Sequence, residues 1–161
     1  MVRIAHSYGP GMIIKNDGRI MSDLINNVVN EEDIVLKSDG SALRAFCYVT
    51  DCVTALFDVM LSNSDDKVYN VSNETEEKSI RDLAYYLSDI SNGTSNVVFN
   101  IQSNNNQYVN FKRVKLNNDK LYNLGWYPKV KLEDGLRRTI KYFKKDINEN
   151  KKSDSKVKTL N

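Results

Sequence analysis

Three arginines have the chemistry to bind a phosphate group. Arg19, Arg44 and Arg113 each lie where a loop meets a predicted element. Arginine is scarce, with seven residues against 16 lysines, so each position that holds arginine calls for a reason. A guanidinium binds two phosphate oxygens at once, which an ammonium cannot do. The three side chains can therefore converge on a diphosphate. The alternative is that each pairs with a surface carboxylate.

Other reactive side chains are few. His6 is the single histidine, so multi-histidine metal sites are excluded and any Ser–His or Cys–His dyad depends on it. The alternative for His6 is a packed residue at a strand end. Cys47 and Cys52 lack further Cys or His partners, and predict neither a disulfide framework nor a zinc site. No glycine-rich phosphate loop occurs. We therefore expect no metal site and no self-contained catalytic set.

The overall composition limits the class of protein. The chain has 161 residues, 40% of them hydrophobic, which suits one domain with a sizeable core. A formal charge of +2 provides no basic surplus for binding nucleic acid. No apolar run is long enough to cross a bilayer, and the first residues do not resemble a secretory leader. We expect a cytoplasmic protein in a reducing compartment.

Short apolar runs alternate with amphipathic segments along the chain. This alternation predicts an α/β or α+β domain. The predicted strands are 2–5, 33–37, 44–49, 68–71 and 97–99. The predicted helices are 20–29, about 50–61, 79–91, 117–124 and 132–147.

Some side chains receive structural assignments. In the helix over 50–61, the spacing turns four apolar residues inward, namely Val53, Leu56, Phe57 and Met60. Asp51 and Ser79 are predicted helix caps, and Trp126 a core residue. The domain is expected over 1–147. The Lys-, Asn- and Ser-rich segment 148–161 is predicted to be a disordered tail.

Eight short motifs follow one another in a fixed order along residues 2–145. They are VRIAHSYGPGM at 2–12, NDGR at 16–19, DGSALRAFCYVTD at 39–51, YNVSN at 69–73, SIRDLA at 79–84, LGWYPKV at 124–130, EDGL at 133–136 and TIKYF at 139–143. This ordered series resembles a known family, the extended short-chain dehydrogenase/reductases of the NAD-dependent epimerase/dehydratase type.

The resemblance implies a fold and a reaction class. The fold is the C-terminal part of a Rossmann-like NAD(P)-binding fold with its smaller substrate-binding domain. Family members modify nucleotide-diphosphate sugars with NAD. They oxidise C4 by hydride transfer, then decarboxylate, eliminate or rotate, and usually return the hydride. UDP-glucuronate decarboxylases resemble the chain most, followed by dTDP-glucose 4,6-dehydratases and UDP-glucose 4-epimerases. Gly11 departs from the decarboxylase pattern, which often has arginine there.

The resemblance begins about halfway along a family member. The glycine-rich NAD turn and the catalytic Tyr-x-x-x-Lys pair are therefore expected in an N-terminal half outside this sequence, and no catalytic residue is assigned here. Two Tyr-x-x-x-Lys strings do occur. The string Tyr127–Lys131 contains Pro128, so it does not form one helical face. The string Tyr108–Lys112 lies in a strand-like stretch that separates its ends by about 13 Å.

The family's substrate half carries over residue by residue. His6 falls where members usually place an asparagine near the sugar diphosphate. Ser7 falls where a small residue approaches the nicotinamide of NAD. Arg19, Arg44 and Arg113 match arginines that meet nucleotide or phosphate groups.

The sequence leaves three interpretations of the whole chain open. In the first, the chain is the C-terminal portion of a truncated or two-chain enzyme, whose partner is a separate N-terminal half or a second copy. In the second, it is a non-catalytic nucleotide-sugar-binding protein. In the third, it is a nonfunctional remnant. For the first two interpretations the expected ligand is a nucleotide-diphosphate sugar.

Overall fold

Strands and helices alternate along the part of the chain that the computed structural model describes, residues 1–64, 66–101 and 111–158. The strands are Val2–Ile4 (β1), Ser7–Tyr8 (β2), Ile34–Leu36 (β3), Leu43–Ala45 (β4), Cys47–Tyr48 (β5), Tyr69–Val71 (β6), Glu77–Ser79 (β7), Val97–Phe99 (β8) and Arg113–Val114 (β9). The helices are Ile20–Val29 (α1), Val49–Leu61 (α2), Ile80–Ile90 (α3), Asp119–Asn123 (α4) and Leu132–Lys158 (α5). The predicted α/β alternation is confirmed.

The strand pairs are mostly parallel. β1 pairs with β6, β2 with β5 and β3 with β8, each in parallel. β4 lies between β7, which is antiparallel to it, and β9, which is parallel. Parallel neighbours need long crossover connections, and at least one helix lies along the chain between the two strands of each of these three pairs, as α1 does between β2 and β5.

The larger core forms between three amphipathic helices. α1 and α3 follow the predicted periodicity, as does the first half of α5, and their apolar stripes are buried against β3 and against Phe46. Burial of each large apolar side chain contributes about 1.5–3 kcal/mol. The helix residues involved are Met21, Leu24, Ile25 and Val28 of α1, Leu83, Ala84 and Leu87 of α3, and Leu136, Ile140 and Phe143 of α5.

A second core lies around β6. It contains Cys47, Cys52, Ala55, Tyr69, Val71, Leu121 and Trp126, with Val2 and Val59 packed at its border. Trp126 is buried there as predicted, and its indole Nε1 donates to the Asp51 carbonyl oxygen at 3.2 Å. α2 and α4 therefore pack against the β1–β6 pair, while α1, α3 and α5 pack around the larger core.

Of the two predicted helix caps, the structure confirms one and contradicts the other. Ser79 caps α3, because its hydroxyl accepts from the backbone N–H of Asp82 at 3.0 Å. The prediction for Asp51 is wrong. α2 begins at Val49, and the buried carboxylate of Asp51 instead accepts from the backbone N–H groups of Lys129 and Val130 at 3.1 and 2.9 Å. Asp51 thus fixes the segment that precedes α5.

The predicted orientation of α2 is also wrong. Val53, Leu56, Phe57 and Met60 are exposed, and the buried positions of the helix include Cys52 and Ala55. α2 carries apolar side chains on two sides, so its periodicity does not tell which side the sheet covers.

The last helix extends further than the sequence predicts. α5 continues past Ile147 to Lys158, where the polar composition predicts a disordered tail. This stretch contains neither glycine nor proline, and Lys145 and Glu149 form an ion pair at 3.6 Å one turn apart. Within the described residues, no helix is both long and apolar enough to cross a membrane.

Candidate functional site

A cavity of about 510 Å³ opens between α1, β3 and β4. This volume lies within the range of small-molecule sites, about 300–1,000 Å³. Four elements position its walls: α1, β3 with the turn that follows it, the start of β4, and the segment that precedes β9. The lining residues are Gly18, Ile20, Asp23, Leu24, Asn27, Val35, Leu36, Lys37, Ser38, Asp39, Ser41, Ala42, Arg44, Ile80, Phe111 and Lys112.

The cavity combines an apolar part with polar groups. Leu24, Leu36 and Ile80 are buried apolar side chains at its wall. Three cationic side chains, Lys37, Arg44 and Lys112, and two carboxylates, Asp23 and Asp39, also line it. A cleft that combines apolar walls with positioned polar and charged groups is typical of a site that orients an organic ligand.

Arg44 is the best-positioned cation of this cavity. It is half-buried on β4, and its Nη1 donates to the carbonyl oxygens of Leu43 at 2.7 Å and Phe111 at 3.0 Å. Its Nε and Nη2 have no hydrogen-bond partner among the described residues. A guanidinium has five N–H donors in a fixed fork. Arg44 is therefore held by one nitrogen and can offer the others to an anion.

His6 lies close enough to Arg44 to respond to its charge. Burial, and then the positive charge of Arg44, lower the pKa of His6 below 6.5. The imidazole packs against Phe46, with ring centroids 5.6 Å apart, and its Nε2 is buried without a hydrogen-bond partner in the described part of the chain. His6 also has a left-handed backbone with φ of 48°. Such strained residues cluster at functional sites.

The turn Ser38–Ser41 forms a rigid rim of the cavity. The Asp39 carboxylate accepts from the backbone N–H and the hydroxyl of Ser41, at 3.0 and 2.8 Å, which lowers the pKa of Asp39. Gly40 has a positive φ of 70°, and a Cβ there would lie 2.9 Å from the backbone nitrogen of Arg81. The turn can approach the start of α3 this closely only with glycine.

The other two predicted arginines pair with carboxylates. Arg19 forms an ion pair with Asp17, which lies outside the cavity lining although Gly18 and Ile20 belong to it. Arg113 on β9 donates to Glu77 at 2.8 Å. Because Arg44 is paired with Val114 in the strand register, Arg44 and Arg113 point to opposite faces of the sheet. The described structure therefore does not bring the three arginines together.

Comparison with known proteins identifies relatives of the chain. Residues 1–72 match the model of the NAD dependent epimerase/dehydratase family. UDP-glucuronic acid decarboxylase 1 of Danio rerio is 33% identical over 147 residues, which are 91% of this chain and 34% of that protein. UDP-glucuronic acid decarboxylase 3 of Arabidopsis thaliana is 30% identical over 148 residues, 92% of this chain and 42% of that protein. The chain is thus similar to the NAD dependent epimerase/dehydratase family in residues 1–72, and to UDP-glucuronic acid decarboxylases over most of its length.

The solved structure of an epimerase has the same fold. UDP-glucose 4-epimerase from Thermotoga maritima, with UDP-glucose, matches 91% of this chain and 46% of its own, with a TM-score of 0.78 and 25% identity. The predicted Rossmann-like fold class is thereby confirmed. The chain spans about a third of the length of the Danio rerio relative, and less than half of the other two.

The family implies NAD, which solved relatives contain. A Rossmann fold binds the NAD pyrophosphate at a helix N-terminus that follows a glycine-rich turn. None of the helices in the described residues begins after such a turn, and the sequence has no G-x-G-x-x-G string. The described residues therefore do not fit the dinucleotide. Ser7 is half-buried on β2 and lies opposite Cys47 in the strand register. Its role near the nicotinamide of NAD stays a prediction.

Of the two Tyr-x-x-x-Lys strings, Tyr127–Lys131 lies wholly within the described residues. Tyr127 to Lys131 is non-helical, and Tyr127 is exposed and stacks on Tyr122 at 4.9 Å. Tyr108 lies outside the described residues. Among those residues, no group of three or more His, Cys, Asp or Glu side chains is placed to hold a metal ion.

Among the polar and aromatic residues that line the cavity, Arg44 alone was expected from the sequence. The residues that sequence reasoning missed include Asp23, Asn27, Lys37 and Phe111. Asp23 and Asn27 are four residues apart, which places both on one side of α1 beside the apolar Leu24. This spacing was visible in the sequence. Phe111 comes to the cavity only through the pairing of β9 with β4, which the sequence does not reveal.

Proposed function

We propose that the cavity binds the nucleoside diphosphate part of a nucleotide sugar, and that Arg44 binds its diphosphate. One observation carries this proposal. Arg44 lines the cavity while a single nitrogen of its guanidinium is hydrogen-bonded to protein, so a fork of donors remains for phosphate oxygens. Lys37 and Lys112 line the same cavity and add positive charge.

The cavity also fits the nucleoside. A base can pack against Leu24, Leu36 and Ile80, which form the apolar part of the wall. Ribose hydroxyls and base edges need acceptors and donors, and Asp23 and Asn27 offer both on α1. His6, beside Arg44, is assigned to the diphosphate side. Arg19 can join it only by leaving Asp17, whereas Arg113 pairs with Glu77 on the face of the sheet opposite to Arg44.

The relatives support a reaction class for the enzyme to which such a site belongs. We assign the chain to the substrate-binding part of an NAD-dependent nucleotide-sugar-modifying enzyme, most similar to UDP-glucuronate decarboxylase. The support is the identity of 33% and 30% to decarboxylases. The alternative is a 4,6-dehydratase or a 4-epimerase. Gly11 favours this alternative, because decarboxylases often have arginine at that position. A non-catalytic nucleotide-sugar-binding protein is a further alternative, since the described residues do not fit the NAD pyrophosphate.

Calorimetric titration of the purified chain tests this proposal. UDP, UDP-glucuronate, dTDP-glucose and NAD are titrated separately. Binding of UDP and UDP-glucuronate is expected without binding of NAD. Tighter binding of dTDP-glucose than of UDP-glucuronate would favour the dehydratase alternative. Absence of heat with every nucleotide sugar would contradict the proposed function.

A further inference from the structure

α3 is followed by two consecutive residues with a left-handed backbone. After the cap residue Ser91, Asn92 has a φ of 57° and Gly93 a φ of 83°. Helices often end in this conformation, and asparagine adopts it more readily than most residues that have a Cβ. The backbone N–H of Asn92 donates to the Asp89 carbonyl oxygen at 3.3 Å. The end of α3 therefore accounts for the asparagine, and the turn after it for the glycine.

The groups of this turn that are able to react with each other are not engaged. Asn92 and Gly93 are both exposed. The side-chain amide of Asn92 and the backbone N–H of Gly93 make no hydrogen bond to the residues that the structure describes. A Cβ at Gly93 would meet no atom within 4 Å, so the space beside the turn is open. Glycine also has no side chain of its own to keep a neighbouring group away from its nitrogen.

We propose that Asn92 is a site of deamidation, in which its side chain cyclises onto the nitrogen of Gly93. A bond forms between this nitrogen and Cγ of Asn92. The nitrogen gives up its proton, and the bond from Cγ to the side-chain nitrogen breaks as ammonia leaves. Water then opens the resulting succinimide at either carbonyl group, which gives aspartate or isoaspartate. Asparagine is a thermolabile residue, and the reaction needs water but no nucleotide.

Two other loops place an acidic residue before a glycine, and there the structure opposes the same cyclisation. Asp17 forms an ion pair with Arg19, and the Asp39 carboxylate accepts from the backbone N–H of Ser41 at 3.0 Å. These hydrogen bonds lower the pKa of both carboxyl groups, which are therefore ionised at neutral pH. An ionised carboxylate resists attack by a nucleophile. The side chain of Asn92 is uncharged and has no such contacts in the described part of the chain.

Asn16 provides a matched control within the same chain. Like Asn92, it is exposed and has a left-handed backbone, with a φ of 53°. The residue after it is Asp17 instead of glycine. The side chain of Asp17 hinders approach to its own backbone nitrogen, so Asn16 should keep its amide for longer. A comparison of the two asparagines therefore isolates the effect of the glycine.

Deamidation would change the connection between α3 and β8. Isoaspartate adds one carbon atom to the main chain, and either product places a carboxylate just after α3, where the helix dipole disfavours negative charge. β8 pairs with β3, and Leu36 of β3 lines the cavity. The modified residue would thus lie in the segment that leads into a strand supporting the cavity wall.

The test incubates the folded 161-residue chain at mildly alkaline pH without nucleotide. Mass spectrometry of proteolytic peptides follows amide loss at Asn92 and at Asn16, and an isoaspartyl methyltransferase with S-adenosylmethionine labels isoaspartate. Asn92 should lose its amide at least about tenfold faster than Asn16, with isoaspartate among the products. Equal rates at the two asparagines would overturn the proposal. Because no nucleotide is present, this result is independent of the proposed nucleotide binding.

A variant of the glycine tests the cause of the reaction. Gly93→Asp gives Asn92 the same neighbour that Asn16 has, and aspartate tolerates a left-handed backbone. Amide loss at Asn92 should fall to the rate of Asn16 in this variant, while circular dichroism shows it folded. Unchanged fast amide loss at Asn92 in the folded variant would contradict the proposal. If Gly93→Asp does not fold, the comparison of Asn92 with Asn16 in the wild-type chain decides.

Discussion

The Tyr8 hydroxyl occupies the space that a side chain at residue 135 would need. A Cβ at Gly135 would lie 2.1 Å from Tyr8 Oη and 2.8 Å from the ring of Tyr48. The hydroxyl donates to the Leu132 carbonyl oxygen at 3.1 Å, which joins β2 to the first turn of α5. Gly135 is therefore required by packing, although glycine is a poor helix former.

Gly135→Ala should destabilise the protein. Alanine in a helix interior usually gains about 1 kcal/mol over glycine. The contact with Tyr8 should reverse the sign and lower the free energy of unfolding by about 1–3 kcal/mol. Urea denaturation measures this difference. The loss should be smaller when Gly135→Ala is made in a Tyr8→Phe background, and a stabilising Gly135→Ala would contradict the packing described.

Asp51 should contribute to stability through the segment before α5. Asp51→Ala leaves the part-buried N–H groups of Lys129 and Val130 without their acceptor, and each lost hydrogen bond to a carboxylate costs about 1.5–3 kcal/mol. We expect a loss of about 2–4 kcal/mol in urea denaturation, and a smaller one for Asp51→Asn, which keeps an acceptor oxygen. Asp58→Ala, at an exposed position of the same helix, should change stability by less than about 0.5 kcal/mol.

His6 should make stability depend on pH in a defined window. Its pKa is lowered in the folded state from the ordinary 6.5, so between these two values the unfolded chain binds more protons. The contribution of neutral His6 is therefore present above pH 6.5 and lost as pH falls toward the folded pKa. The lowered pKa values of Asp17, Asp39 and Glu77 act only at more acidic pH.

Urea denaturation at about pH 7.5 and about pH 5.5 measures this effect. The wild-type chain should lose stability between the two, and His6→Asn should lose less. Equal losses in both proteins would show that His6 is not the group responsible.

Apolar periodicity predicts the buried side of a helix correctly when the apolar side chains lie on one side only. α1 spans the predicted residues, and in α3 the apolar residues at helical spacing, Ile80, Leu83, Ala84 and Leu87, are all buried. It fails for α2, because a helix with apolar side chains on two sides gives no information about which one the sheet covers. Asp51 was interpreted locally as a cap, whereas its partners lie more than 70 residues further along the chain.

For the candidate site, too, the sequence predicts a residue only where its own type or a local motif marks it. Arg44 could be recognised from its residue type and from the family motif around it. The ion pairs of Arg19 and Arg113 depend on which carboxylate lies beside them. For Arg113 that carboxylate is Glu77, brought near by the pairing of β4 with both β7 and β9. Such long-range pairings are not encoded in local sequence patterns.

The most direct test of the central claim is calorimetric titration of UDP into the wild-type chain and the Arg44→Ala variant. Loss of charge-assisted hydrogen bonds to phosphate costs about 1.5–3 kcal/mol, so Arg44→Ala should weaken UDP binding at least about tenfold. Arg138→Ala, at an exposed arginine of α5 outside the cavity lining, should bind UDP as the wild type does. Equal UDP affinity of Arg44→Ala and the wild type would contradict the account.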